Sequence, residues 1–190
     1  MARLVAEKSD VIPRITEIFR EHGYQGTSLS IITNRTGLGK GSLYHFFPGG
    51  KPEMAQTVLE SVDTWFEENI FSSLAEDNPD QAIGNMFSAV VEYFRSGQRV
   101  CLIGAMALDS SRDAFAEKIS GYFRRWIHTL SAALRRSGFS ERDAARLAQE
   151  VVSRIQGAIV LSRAINDNTI FIDTIESLRA RCSTIDGRQF

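Results

Sequence analysis

The sequence predicts an all-α chain of about nine helices, and three observations predict it. Apolar residues recur three and four apart along almost the whole chain, as in amphipathic helices. Glycine, proline and Asn/Asp clusters fall mainly between those stretches. No two alternating apolar runs flank a hairpin turn, and there is no internal repeat or low-complexity tract.

Val11, Ile12, Ile15, Ile18 and Phe19 form the first stripe, with Ser9 expected as its N-cap, Pro13 in or near its first turn and Gly23 as its stop. Leu29 to Thr36 reads as a short second helix that Thr27 or Ser28 can cap. Gly37-Leu38-Gly39 separates it from a third, Lys40 to Phe46 or Phe47, which Pro48-Gly49-Gly50 ends. A fourth starts at Lys51, tolerates Pro52 in its first turn and runs to about Leu74 through Met54, Val58, Val62 and Ile70. Asn78-Pro79 opens a fifth that reaches about Ser96, and Gly97-Gln98-Arg99 breaks it. Val100–Leu108 has the composition of a strand, but Gly104, Ala105 and Ala107 favour a short buried helix. Another helix spans about 113–137, with Arg135 and Arg136 in the last turn, where cations suit the dipole. Ser140 with Asp143 resembles a capping box for the next, which ends near Ala164 before Asn166-Asp167-Asn168. A last helix covers about 169–183.

Composition narrows the class. With 43% hydrophobic and 24% charged residues the chain is not disordered. At 190 residues it can bury about 70% of its unfolded surface. No apolar run approaches the roughly 18 residues of a membrane span. Charges follow Met1 before any apolar core of signal-peptide length, so a soluble, cytoplasmic protein with no membrane partner is expected. Cys101 and Cys182 cannot build a disulfide framework, which fits a reducing compartment. The net charge of −1 hides a split: residues 1–51 hold seven Lys/Arg against four acids, while 52–190 are net acidic. A basic N-terminal part suggests a polyanionic partner.

Residues 28–47 carry the chemistry. Two short helices joined by a glycine-containing turn form the pattern of a helix-turn-helix, whose second helix enters the DNA major groove. Gly39, Gly41 and Ser42 let the backbone approach closely, and Lys40 can reach a phosphate or a guanine edge. Tyr44 and His45 can donate to phosphates from the flank, while Leu43 and Phe47 point inward. Thr27 and Ser28 are expected as a phosphate clamp at the preceding helix start, and Lys51 offers the same at the next.

Gly23-Tyr24, Thr27-Ser28-Leu29, Ile31-Ile32, then Thr36-Gly37-Leu38-Gly39-Lys40-Gly41-Ser42-Leu43-Tyr44-His45-Phe46 closely resembles the DNA-binding domain of TetR-family transcriptional regulators, over roughly residues 10–60. Gly39 stands where that family usually has serine, and Pro48-Gly49-Gly50 is longer than its usual turn. Phe47-Pro48-Gly49-Gly50-Lys51 is similar to a branch of multidrug or aromatic-compound sensing repressors.

The resemblance implies a three-helix DNA-binding domain over residues 1–51 and a larger effector-binding and dimerisation domain over 52–190. It implies a homodimer on a palindromic double-stranded operator, its last two helices pairing with their twins. Leu147, Val151, Ile155, Ala158 and Ile159 are the expected interface, in a helix too apolar for one buried stripe. Two half-sites about 34 Å or a multiple apart independently require two motifs. Trp65, Phe66, Phe87, Phe94, Met106, Phe123 and Trp126, with Asn69 and Asp109 as polar anchors, are the expected lining of an apolar pocket for an unknown small-molecule effector.

His22, His45 and His128 lie far apart, and HExxH, CxxC, GxSxG and P-loop motifs are absent. No catalytic residue, metal or cofactor is expected. The expected function is therefore a transcriptional regulator, most simply a repressor released by an apolar or aromatic ligand. The competing class is a ligand-sensing or protein-interaction module whose helix-turn-helix is only structural.

Overall fold

The structure is a computed structural model that describes residues 7–76 and 78–183. Among these the chain forms nine α-helices and no strand. In order they are α1 (Lys8–Gly26), α2 (Leu29–Thr36), α3 (Lys40–Phe46), α4 (Gly50–Phe66), α5 (Pro79–Tyr93), α6 (Leu102–Ala107), α7 (Ala116–Arg136), α8 (Glu141–Ile165) and α9 (Thr169–Ser183). No helix among the described residues is long and apolar enough to cross a membrane.

Element boundaries differ from expectation where local chemistry intervenes. Helix α1 begins at Lys8 under a reciprocal box between Glu7 and Asp10, so Ser9 lies inside it and Pro13 sits beyond the first turn. Gly23 breaks the helical path with φ 66°, yet three more residues resume it. The fourth segment leaves α geometry after Phe66: Glu67–Phe71 is π-helical and Ser73–Ala75 is 3-10. A 3-10 turn, Arg112–Phe115, precedes α7.

Two compact units result. The first joins residues up to Thr64 with Leu102–Ile119, so the expected boundary after residue 51 falls inside it. Its core includes Ile15, Phe19, Ile32, Leu43, Met54 and Val58, and α6 packs on α1. The second comprises Trp65–Cys101 and residues from Ser120 onward. Here α9 packs against both α8 and α5, around Phe87, Phe94, Trp126, Val151 and Phe171. Burial pushes the Cys182 thiol up to about 12, which leaves it protonated and inert in this core.

The expected dimer residues require correction. Leu147, Val151, Ile155, Ala158 and Ile159 are all between 0% and 7% exposed within one chain. At 3.6 residues per turn they share the α8 face that joins this chain's own core. The free apolar residues are others: Val160 is 62% exposed, Leu161 51% and Ile165 64%, beside exposed Gly157.

Candidate nucleic-acid interface

The first unit builds its surface from short capped helices. Ser28 caps α2 by accepting from Ile31 N at 3.2 Å. Gly37, left-handed at φ 74°, closes it with its N–H on Thr33 O. Helix α3 begins after Gly39, which gives it no side-chain cap, as expected from glycine at that position. Leu43 and Phe47, each 1% exposed, hold α3 on the unit's core. Lys40, Gly41, Ser42, Tyr44 and His45 are all exposed. Nothing lies within 4 Å of a Cβ built at Gly39 or Gly41, so the outer surface of α3 is open. Lys40 makes no ion pair or hydrogen bond among the described residues. Its charge is thus available to a polyanion.

Neighbouring cations are committed differently. Arg14 Nη1 donates to Thr36 O at 3.3 Å and so ties α1 to the end of α2. Arg35 pairs with Glu21 at 2.9 Å, and that guanidinium holds the Glu21 carboxyl below its usual range.

The side chains of two expected contact residues make structural bonds. Thr27 is 0% exposed, and its hydroxyl donates to Gly23 O at 2.6 Å, so its side chain is withdrawn from the surface and Ser28 is left exposed there. Lys51 is half-buried, with Nζ donating to Tyr24 O at 2.9 Å and Thr27 O at 3.0 Å and lying 4.4 Å above the Tyr24 ring. Its ammonium neutralises carbonyls at the α1 terminus that the break at Gly23 leaves without helical partners. Tyr24 in turn packs edge-on against Phe115 at 5.3 Å, and burial raises its phenol pKa. Sequence spacing gave no sign of this bracing, because it joins residues 24 and 27 apart. Lys51→Met keeps the aliphatic stem and removes both bonds. It should cost about 1–3 kcal/mol, read as a lower urea midpoint with unchanged m-value.

The nine expected pocket residues are shared between the two units. Met106 and Asp109 belong to the first unit and the other seven to the second. Asp109 accepts from Ser111 N at 2.7 Å, the main cause of its lowered pKa. Phe66, Phe87, Phe94 and Trp126 are fully buried. Phe66 contacts Trp126 at 5.2 Å and Tyr93 at 4.9 Å between ring centroids, so the rings fill space against one another. Trp65 and Phe123 are half-buried, and Asn69 is exposed with its amide on Trp65 O. Trp126 Nε1 is buried and has no acceptor among the described residues.

Residues 14–58 match the model for bacterial regulatory proteins of the tetR family, and residues 79–177 match the C-terminal domain of LmrA/YxaF-like transcriptional regulators. The uncharacterised HTH-type transcriptional regulator YxaF of Bacillus subtilis is 29% identical over 167 residues, 85% of this chain and 87% of that protein. A TetR transcriptional regulator from Legionella pneumophila shares the fold with a TM-score of 0.80 at 18% identity, over 94% of this chain and 99% of that one. The same fold occurs in a cysteine mutant of the TetR family regulator CifR complexed with 26-bp operator DNA, with a TM-score of 0.74 at 19% identity over 95% of this chain and 98% of that one. These relatives are regulators of transcription, not enzymes. Taken with the open outer surface of α3 and its capped partner helix, the matches over both parts of the chain make it a member of the TetR family of helix-turn-helix transcriptional regulators, with an LmrA/YxaF-like C-terminal domain.

Proposed function

We propose that this regulator is a cytoplasmic, homodimeric repressor that leaves a palindromic operator when a small aromatic or apolar ligand binds. Residues 1–51 read the DNA, and 52–190 sense the ligand and dimerise. The observation that carries the DNA part is the division of α3 into a buried side, Leu43 with Phe47 behind it, and an exposed run of Lys40, Gly41, Ser42, Tyr44 and His45. A helix-turn-helix kept only for packing has no need of that open surface. Ser28 and the first-turn N–H groups of α2 supply the flanking phosphate contact.

The test is binding to DNA from upstream of its own gene across a salt series. Affinity should fall steeply, by roughly a thousandfold or more between 50 and 200 mM salt for about six or more phosphate contacts per dimer. Lys40→Ala should flatten the slope by about one unit per subunit. Gly41→Leu, with no neighbour to displace, should keep the thermal midpoint and lose operator affinity. A salt-insensitive protein, or variants that bind like wild type, would leave the helix-turn-helix as packing alone.

For the ligand, the supporting observation is the buried Trp126 indole N–H without an acceptor inside an aromatic cluster. An aromatic compound bearing an acceptor satisfies it. Dimerisation is supported by the exposed apolar surface of Val160, Leu161 and Ile165 on α8.

A further inference from the structure

A polar cavity lies in the second unit, where the end of α8 meets the turn after α5. That turn is unusual: Arg95, Ser96 and Gly97 are left-handed in succession, with φ of 48°, 53° and 87°. Across from it, Asn166 ends α8 in the left-handed region and Asp167 N returns to Ser162 O at 2.9 Å. Between these two turns is a space of about 450 Å³, within the range of small-molecule sites. Apart from Gly97, every residue lining it is polar or charged: Gln98, Ser162, Arg163, Asn166, Asp167 and Asn168.

Three features of the lining point to an occupant. Ser162 is 4% exposed, and its Oγ is buried with no hydrogen-bond partner among the described residues, which native interiors rarely tolerate. Arg163 spends Nη1 on Gln98 O at 2.6 Å and meets no carboxylate among the described residues, which leaves the rest of its fork to a ligand. Asp167 uses Oδ1 for Thr169 N and Oγ1 at 2.9 and 2.7 Å, and Oδ2 has no partner among the described residues. Arg163 and Asp167 thus border one cavity without pairing.

The pair of unmatched charges selects the ligand. A simple anion would suit Arg163 and be repelled by Asp167, and a simple cation would meet the reverse. An apolar molecule would leave the Ser162 hydroxyl unsatisfied. A dipolar molecule answers all three. We propose that this cavity binds a small zwitterion of the free α-amino-acid class, its carboxylate taken by Arg163 and Ser162 and its ammonium by Asp167 and the neighbouring amide oxygens. The site is separate from the exposed apolar residues of α8. At about 100° per residue, Ser162, Arg163 and Asn166 lie on a different side from Val160, Leu161 and Ile165.

Calorimetric titration of the full-length protein with each free amino acid tests it, followed by carboxylate-only and amine-only analogues of the best binder. At least one amino acid should bind once per chain, and removing either charged group should weaken binding about tenfold or more. Arg163→Gln and Asp167→Asn should each weaken it similarly. Ser162→Ala removes only an unsatisfied hydroxyl, so the protein should fold normally and bind less tightly. No binding at about 10 mM, equal binding of the amine-free carboxylate, or wild-type affinity in Ser162→Ala and Asp167→Asn would each overturn the assignment. Binding abolished by Trp126→Phe but untouched by Ser162→Ala would place the ligand in the aromatic cluster and likewise overturn it.

Discussion

Replacing Leu161 and Ile165 together by glutamate should turn the proposed dimer into a monomer and lower operator affinity by about a hundredfold or more. The size follows from linkage: two helix-turn-helix units on one dimer make the second contact intramolecular, and that advantage is about 10²–10⁴. The folded chain should tolerate the change, because the two side chains are already 51% and 64% exposed. Sedimentation velocity and operator titration on the same preparation separate the effects. Leu147→Ala and Ile155→Ala provide the contrast. Both residues lie inside the monomer core, so their loss should lower the thermal midpoint, with a core-truncation cost of about 2–5 kcal/mol. A double glutamate variant that stays dimeric with full operator affinity would move the interface elsewhere.

Gly97→Ala should be the most damaging single substitution among the glycines. A Cβ at this position would stand 2.6 Å from Phe171 Cβ, 2.9 Å from its Cγ and 3.3 Å from Ser162 Cβ. The obstructing atom is next to the backbone of α9, so no rotamer change removes it. Phe171 is itself 0% exposed and packs on Phe94. The φ of +87° adds a second penalty, because an L side chain is strained there. The two together should cost about 2–5 kcal/mol, a fall of roughly 5–15 °C in thermal midpoint for a chain of this size. Gly84→Ala is the control: it lies in α5 with nothing within 4 Å of the new Cβ, and should stabilise by about 0.5–1 kcal/mol. Equal midpoints for the two variants would mean that the α5–α6 turn yields without strain.

The short helices were legible because their signals are local. Ser28, Gly37, Asn78 and Ser140 act within three or four residues of themselves, and each caps as its type predicts. The exposure of Lys40, Gly41, Ser42, Tyr44 and His45 was legible for the same reason: a period of 3.6 residues separates them from Leu43 and Phe47. The start of α1 was misread because Glu7 and Asp10 form a reciprocal cap that starts the helix two residues earlier than would the serine that looked better placed. The internal bonds of the Thr27 and Lys51 side chains were not legible, because their partners are carbonyls, and a carbonyl oxygen exists at every residue. Only the folded chain says which one is within reach.

What the sequence determined alone is therefore the helical class, most helix ends and the family-specific helix-turn-helix, all matters of neighbours a few residues apart. What the tertiary structure decided is orientation. Helix α8 is apolar on more than one side, and periodicity cannot say which side its own chain covers; packing against α9 buried Val151 and Ile155 and left Leu161 and Ile165 outside. The aromatic residues were likewise visible in the sequence, but whether they surround space or fill it depends on ring positions set by helices distant in the chain. The polar cavity beside Ser162 was invisible for the same physical reason: it exists only where the α5–α6 and α8–α9 turns, some 65 residues apart, come together.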